Sequence, residues 1–252
     1  MRHTFGYSAQ MWLNIIIPLA FLGFAIMLMW RRSATQSRRD FIDQYQLPPG
    51  LLQRVRQTYP ALDDSQLALV ESGLRQFFRC SLLANKQAVA MPSQVVDELW
   101  HNFILYTRNY QQFCKRAFGH YLHHTPAVVM GGPRQQRGAI RRAWHLACKE
   151  EGIQPGKPGR LPLLFALDAL LAIPNGFIYT PDCKVPGASG GGSYCGADLG
   201  SDSGCASCSG GGSWFGSGDS SGASDGSSDS AGDSGGDGGS SCGGGGCGGG
   251  GD

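Results

Sequence analysis

An uninterrupted run of apolar residues lies near the N-terminus of the chain. Segment 11–30, MWLNIIIPLAFLGFAIMLMW, is 20 residues long and contains no charged side chain. A helix of that length extends about 30 Å, which matches the hydrocarbon core of a bilayer. Trp12 and Trp30 stand near its two ends, and aromatic residues of this kind favour the membrane interfaces. The pattern predicts one transmembrane helix.

Positive charge is concentrated on the C-terminal side of this run. Only Arg2 precedes it, whereas the basic segment 31–40 contains Arg31, Arg32, Arg38 and Arg39. A cleavable signal peptide has the opposite charge order and a cleavage site of the Ala-x-Ala type, which does not follow this run. The positive-inside rule therefore predicts a single-pass protein of the cell membrane, with the N-terminus outside and the following domain in the cytoplasm.

After residue 40 the apolar positions recur at helical spacing, in runs separated by Pro, Gly and capping residues. The last run, 161–173, is strongly apolar but too short to cross a bilayer, so it is predicted as a buried helix. Together these runs predict a small, mostly α-helical domain with its own core. The predicted helices are 51–59, 63–84, 93–118, 134–151 and 161–173, and 177–179 is predicted to be extended.

The predicted helix 93–118 contains the most informative residues of the domain. Ser93 is a suitable N-cap, and the carboxylates of Asp97 and Glu98 suit the positive end of the helix dipole. Asp97 and His101 are four residues apart, so the carboxylate can reach the imidazole. The face predicted to enter the core contains Val96, Trp100, Phe103, Thr107, Tyr110 and Cys114.

Beyond residue 186 the chain consists mainly of Gly, Ser, Asp and scattered Cys. All 21 basic residues and 11 acidic ones precede this point, so residues 1–186 carry +10 and residues 187–252 carry −8. A segment with so few apolar residues cannot offset its ordering entropy, and it is predicted to be a disordered tail. The predicted organisation is an N-terminal segment 1–10, a transmembrane helix 11–30, a basic juxtamembrane segment 31–40, a helical domain 41–186 and a tail 187–252.

A set of Trp, His and Cys positions in the domain resembles a known family. The signature of the glycine-rich domain-containing proteins, found in plants and bacterial relatives, is similar to Asp97-x-x-Trp100-His101, Tyr110, Cys114 and His123-His124-x-Pro126. The similarity covers residues 41–186, which is the size of one domain. The resemblance implies a helical domain and supplies no reaction.

The histidines of this region, together with one thiol, are candidate ligands of a zinc ion. They are His101, Cys114, His120, His123 and His124. In one continuous helix His101 and Cys114 would be about 20 Å apart, so they cannot bind the same ion. A zinc site would use one of them with returning loop histidines, and a chain reversal is needed to bring His123 or His124 back to His101. Asp97 would then orient His101 from outside the coordination sphere.

Two other interpretations of the same residues remain open. In the structural one, Trp100, Tyr110 and Cys114 belong to the core, because free cysteine is among the most buried residue types. His101 and His124 would then be hydrogen-bonded structural residues. In the enzymatic one, Cys114 is a nucleophile with His120 or His124 as its base. A core position would deny the thiol the exposure that such a nucleophile needs, and no catalytic residue is assigned.

The sequence therefore favours a binding module over an enzyme. The prediction is a membrane-anchored interaction or scaffold protein whose ligand surface is the His-rich loop 119–126, with a metal-dependent or Cys–His enzyme at the same loop as the alternative. Its expected partners are the lipid bilayer and a protein that the sequence does not identify. No aromatic residue is interleaved with Arg134, Arg137, Arg141 and Arg142, which argues against nucleic acid. The nine cysteines, all on the predicted cytoplasmic side of the membrane, are expected to be reduced.

Overall fold

The computed structural model describes residues 5–124, 132–181 and 193–200. This part of the chain is mostly helical, as predicted. The tail predicted for 187–252 lies outside the described residues, apart from 193–200. The elements are α1 (Phe5–Gln44), α2 (Leu51–Thr58), α3 (Asp64–Leu83), α4 (Gln94–Leu105), α5 (Thr107–Ala117), α6 (Gly132–Glu150), α7 (Leu163–Leu170), β1 (Ile178–Thr180), β2 (Ser193–Cys195) and α8 (Gly196–Gly200).

The N-terminal helix α1 is continuous over 40 residues, with Pro18 inside it. Every side chain from residue 16 to residue 34 is exposed, although most of this stretch up to Trp30 is apolar. One helix near the N-terminus is therefore long and apolar enough to span a membrane, a property that signal sequences share. The predicted apolar helix is confirmed, and it extends well past its predicted end at residue 30.

The last turns of α1 belong to the helical domain. Phe41 and Tyr45 place their rings 5.8 and 4.8 Å from the ring of Phe113 in α5. Arg39 forms a salt bridge with Glu150 of α6 at 2.9 Å, and Arg79 of α3 forms a second one with the same carboxylate at 3.1 Å. Segment 31–40, predicted as a juxtamembrane segment, is thus helical throughout, and its second half contacts the domain.

The core of the domain is formed mainly by α3 and α4. Helix α3 begins with a capping box in which the side chains of Asp63 and Gln66 each bond the backbone of the other residue. Phe77 of α3 packs its ring 4.8 Å from that of Trp100 in α4, and both side chains are buried. Helix α4 also packs against α2 and α7, so it lies near the centre of the domain.

The helix predicted for 93–118 is broken, and this prediction is wrong in that respect. Helix α4 ends at Leu105 and α5 begins at Thr107, because Tyr106 has φ −80° and ψ 60°. The predicted core face is buried at Val96, Trp100, Phe103, Tyr110 and Cys114, whereas Thr107, at the start of α5, is exposed. The two halves pack against different partners, α4 on α2 and α3 and α5 on α1, which one straight helix could not do.

A buried carboxylate joins α7 to the start of α4. Asp168 is 2% exposed and accepts hydrogen bonds from Ser93 Oγ at 2.6 Å and from the backbone of Gln94 at 2.8 Å. It also accepts from the backbone of Val95 at 3.3 Å and of Phe177 at 2.9 Å. Helix α7 is shorter than the predicted 161–173, and the residues that follow it lead into β1.

The two short strands pair in parallel, with Tyr179 opposite Tyr194. Residues 193–200 were assigned by composition to the disordered tail, and this assignment is wrong for them. The reason is a tertiary contact between Gly196 and Trp144. A Cβ added to Gly196 would lie 2.4 Å from the Trp144 ring, so only glycine allows this approach. Leu199, four per cent exposed, adds to the core. The domain therefore extends beyond residue 186.

Candidate functional site

Three side chains with metal-binding chemistry meet on the surface of α4. Asp97 Oδ1 lies 3.0 Å from His124 Nε2, and Asp97 Oδ2 lies 3.6 Å from His101 Nδ1. The two imidazole rings have their centroids 4.0 Å apart. The ligand atoms of all three residues lie within 4.8 Å of one another. We call this group the Asp97 cluster.

The backbone explains why these residues meet. Asp97 and His101 are one helical turn apart on α4, so they share a face. After α5 the chain turns at Gly119, whose φ is +77°, and returns alongside α4. Tyr110 fixes this return because its hydroxyl donates to the carbonyl of Leu122 at 2.5 Å and accepts from Trp100 Nε1 at 3.1 Å.

The Asp97 cluster is open to solvent on one side and packed on the other. The side chains of His101, Asp97 and His124 are 49%, 30% and 17% exposed. The ring of Trp100 stands 4.6 Å from that of His124 and forms the apolar base of the cluster. A carboxylate and two imidazoles are common ligands of zinc, and three protein ligands leave a coordination position for water or a ligand.

The other predicted site residues lie elsewhere. Cys114 is fully buried beside Tyr110 and Leu122, and burial raises the pKa of its thiol. His120 places Nδ1 3.1 Å from the carbonyl oxygen of Phe118, at the opposite end of the returning segment. His123 is exposed and packs on the ring of Tyr121 at 4.8 Å. Of the five candidate zinc ligands, the structure brings together His101 and His124.

Asp97 has a larger part in the site than the sequence indicated. It was expected to orient His101 from outside the coordination sphere, but its two oxygens each face a different histidine. The helical spacing from Asp97 to His101 was the available signal. No local pattern could place His124, because its contact with Asp97 spans 27 positions of the chain.

A polar cleft lies on the neighbouring face of α4. Glu98 accepts hydrogen bonds from Thr58 Oγ1 at 3.2 Å and from Asn102 Nδ2 at 2.7 Å. These residues line the cleft together with Arg54 and Tyr106. Glu98 is therefore engaged in this cleft, while Asp97, one residue earlier, faces the histidines.

The described cysteines differ in their oxidation state. Cys80, Cys114 and Cys148 are free and buried, whereas Cys195 is disulfide-bonded. Burial raises the pKa of Cys148 to about 12, so this thiol stays protonated at neutral pH. The expectation that all cysteines are reduced is not met at Cys195.

A family model described as UCP032817-like matches residues 37–199. The chain belongs to the UCP032817-like family. The resemblance to the glycine-rich domain-containing proteins is therefore wrong. It rested on a short motif, and several of its residues, such as Trp100, Tyr110 and Cys114, are core side chains that many helical domains need. The UCP032817-like match begins in the last turns of α1 and ends in α8, at the limits of the packed domain.

Nothing among curated proteins or solved structures matches the chain. The description of the UCP032817-like family names no reaction and no ligand. The features of the chain that bear on its function are the chemistry of the Asp97 cluster and the apolar helix α1.

Proposed function

We propose that this chain is a membrane-anchored protein whose helical domain binds a divalent transition-metal ion, zinc in the first place, through Asp97, His101 and His124. The observation that carries the proposal is the convergence of these three side chains from α4 and the returning loop. The predicted ligand surface, the His-rich loop, contributes His124 to it.

The spacing of the ligand atoms fits a zinc site. Tetrahedral zinc with bonds of about 2.0–2.1 Å places neighbouring ligand atoms about 3.3 Å apart. The two oxygens of Asp97 lie 3.0 Å from His124 and 3.6 Å from His101, on either side of that value, and all ligand atoms of the cluster lie within 4.8 Å of one another.

The open side of the cluster supports a role in binding. Because three protein ligands leave at least one coordination position free, a bound ion would be available to a carboxylate, imidazole or thiolate of a partner protein. The second candidate is a metal-dependent hydrolase, because the same free position can hold a water molecule. A Cys–His enzyme at this loop is disfavoured, since Cys114 is buried away from the Asp97 cluster.

The proposal is tested by the metal content of the purified full-length chain after loading with zinc and dialysis. We expect the wild-type chain to hold one zinc ion that is lost in His101→Ala and in His124→Ala. The control His123→Ala should keep this ion, because the His123 ring packs on Tyr121 instead. Cobalt substitution separates this site from the cysteines of the tail, because thiolate ligands add a strong charge-transfer absorption that imidazole and carboxylate do not. Equal metal content in all four proteins would contradict the proposal.

We further propose that α1 crosses the cell membrane once, with the N-terminus outside and the domain in the cytoplasm. Arg31 and Arg32 support this orientation, because they are exposed directly after the apolar stretch. The disulfide at Cys195 favours the opposite orientation, with the domain outside, because disulfides persist in oxidising compartments.

Labelling of single-cysteine variants with a membrane-impermeant maleimide decides the orientation. A cysteine introduced at exposed Arg108 is expected to react only after the cells are permeabilised, and one at Ser8 in intact cells. The reverse pattern would place the domain outside and contradict the proposed orientation.

A further inference from the structure

The continuous helix α1 fixes the distance between the membrane and the domain. Arg38, eight residues after Trp30, lies about 12 Å further along the helix axis. The headgroup layer extends about 5–8 Å beyond the hydrocarbon core on each side. The first domain contacts of α1 are therefore made just outside the headgroups. This step rests on the proposed membrane anchoring.

The same contacts show which end of the domain faces the membrane. Arg38 Nη1 donates to the carbonyl of Phe118, just after α5, at 3.2 Å. Tyr45, further from the apolar stretch, packs on Phe113 and on Phe103 of α4. Helix α5 therefore runs antiparallel to α1, and its C-terminal end lies nearest to the membrane.

Helix α3 has the same direction as α5. Arg75 donates to the carbonyls of Ile42 and Tyr45 at the end of α1, at 2.5 and 2.7 Å. One turn later Arg79 reaches Glu150, which also binds Arg39. Leu83, in the last turn, lines a cleft with Gln36. The C-terminal ends of α3 and α6 therefore also lie at the membrane-facing end of the domain.

This end of the domain is strongly basic. The exposed residues Lys86 after α3, Lys115 and Arg116 in α5 and Lys149 in α6 add to the arginines of α1. Asp40 and Asp43 are exposed acids at this level, and Asp43 pairs with Arg79, whereas the carboxylate of Glu150 is 7% exposed and paired with two arginines. We call the group Lys86, Lys115, Arg116 and Lys149, with Arg31, Arg32 and Arg38, the membrane-proximal basic surface.

We propose that the membrane-proximal basic surface binds the anionic phospholipid headgroups of the bilayer that α1 spans. Positive side chains within a Debye length of about 8 Å of an anionic membrane are attracted to it. Arg38 lies within that distance because α1 has no break between its apolar stretch and the domain, and its contact with the carbonyl of Phe118 brings the C-terminal end of α5 to the same level. The domain is then held against the membrane by its charges as well as by its contacts with α1.

The test uses hydrogen–deuterium exchange of the full-length protein in nanodiscs of phosphatidylcholine, with or without phosphatidylglycerol. We expect slower exchange of segments 84–87 and 115–120 in the anionic discs. The variant Lys86→Gln/Lys115→Gln/Lys149→Gln should reduce that difference in exchange. Each lost charge that contacts lipid weakens the association of the domain with the headgroups by about fivefold. Arg116 is left in place because its guanidinium stacks on Phe41, 4.4 Å from the ring centre.

The matched control removes three exposed charges from the remote ends of α5 and α6, in Arg108→Gln/Arg134→Gln/Arg137→Gln, and should retain the full lipid effect. If exchange is equal in both kinds of disc and the protein resists alkaline carbonate extraction, the proposed binding of lipid headgroups is wrong, while the membrane anchoring by α1 stands. Extraction by carbonate would overturn the anchoring itself, and with it this surface. Protection produced by inorganic phosphate in neutral discs would assign the surface to a soluble anion and overturn the lipid assignment.

Discussion

Replacing Asp168 with alanine is expected to lower the free energy of unfolding of the domain by about 4 kcal/mol. The substitution removes the acceptor of four hydrogen bonds, those from Ser93 Oγ and from the backbone of Gln94, Val95 and Phe177. A buried hydrogen bond to a charged group contributes about 1.5–3 kcal/mol, and unsatisfied buried donors add a further cost. Helix α4 also loses a negative charge at its N-terminal end.

The measurement is urea denaturation of the full chain in detergent, followed by near-ultraviolet circular dichroism. Asp40→Ala is the control, because this carboxylate is exposed in α1 and its loss should change the unfolding free energy by less than about 0.5 kcal/mol. If Asp168→Ala lowers the unfolding free energy by less than about 1 kcal/mol, the hydrogen bonds of Asp168 are not what joins α7 to α4.

Zinc is expected to stabilise the wild-type protein, and Asp97→Asn is expected to remove most of that stabilisation. At free zinc of about 100 times the dissociation constant, binding adds about 2.7 kcal/mol to the unfolding free energy. Asparagine keeps the size of the side chain but loses the negative charge that attracts the ion, and it replaces one of the two oxygens that face the histidines. If zinc affinity falls by about 100-fold, the increment at the same zinc concentration drops to about 0.4 kcal/mol.

Thermal unfolding with and without zinc gives this increment directly. Glu98→Gln is the matched control, because Glu98 is the adjacent carboxylate of α4 and faces Thr58 and Asn102 instead of the histidines. It should keep the full increment. An unchanged increment in Asp97→Asn would show that zinc binds outside the Asp97 cluster.

The local signals in the sequence predicted most helices well. Helix α3, expected over 63–84, is found from Asp64 to Leu83, because the capping box at Asp63 and Gln66 acts within a few residues. Ser93 accepts a hydrogen bond from the backbone of Val96, as expected of an N-cap. Both signals depend on neighbouring residues alone, so the tertiary structure did not overrule them.

The features that the sequence did not reveal depend on contacts between distant residues. The break at Tyr106 follows from packing α4 and α5 on different helices, although every residue around it is compatible with one helix. His124 reaches Asp97 through the turn at Gly119 and the hydrogen bond of Tyr110 to Leu122. Neither contact leaves a periodic pattern, so the candidate ligands could be named but not sorted into one site.

The end of the domain was misplaced for a related reason. Composition averages over many residues, and glycine and serine dominate the chain after residue 186. The packing of Gly196 against Trp144 and the burial of Leu199 need only a few well-placed residues. A glycine can therefore be an ordered contact at one position in a segment whose average composition predicts disorder.

Because α1 is one continuous helix, it connects its apolar stretch rigidly to the domain. From Trp30 to Gln44 the helix extends about 21 Å, and its far end is clamped by Arg75 and by the pair of Arg39 with Glu150. Membrane helices tilt by about 20° on average to match the thickness of the bilayer, and a tilt of that size moves the end of this segment sideways by about 7 Å. If α1 spans the bilayer as proposed, the thickness of the bilayer would then set the angle at which the whole domain, including the Asp97 cluster, is presented to its surroundings, because α1 is continuous between the two.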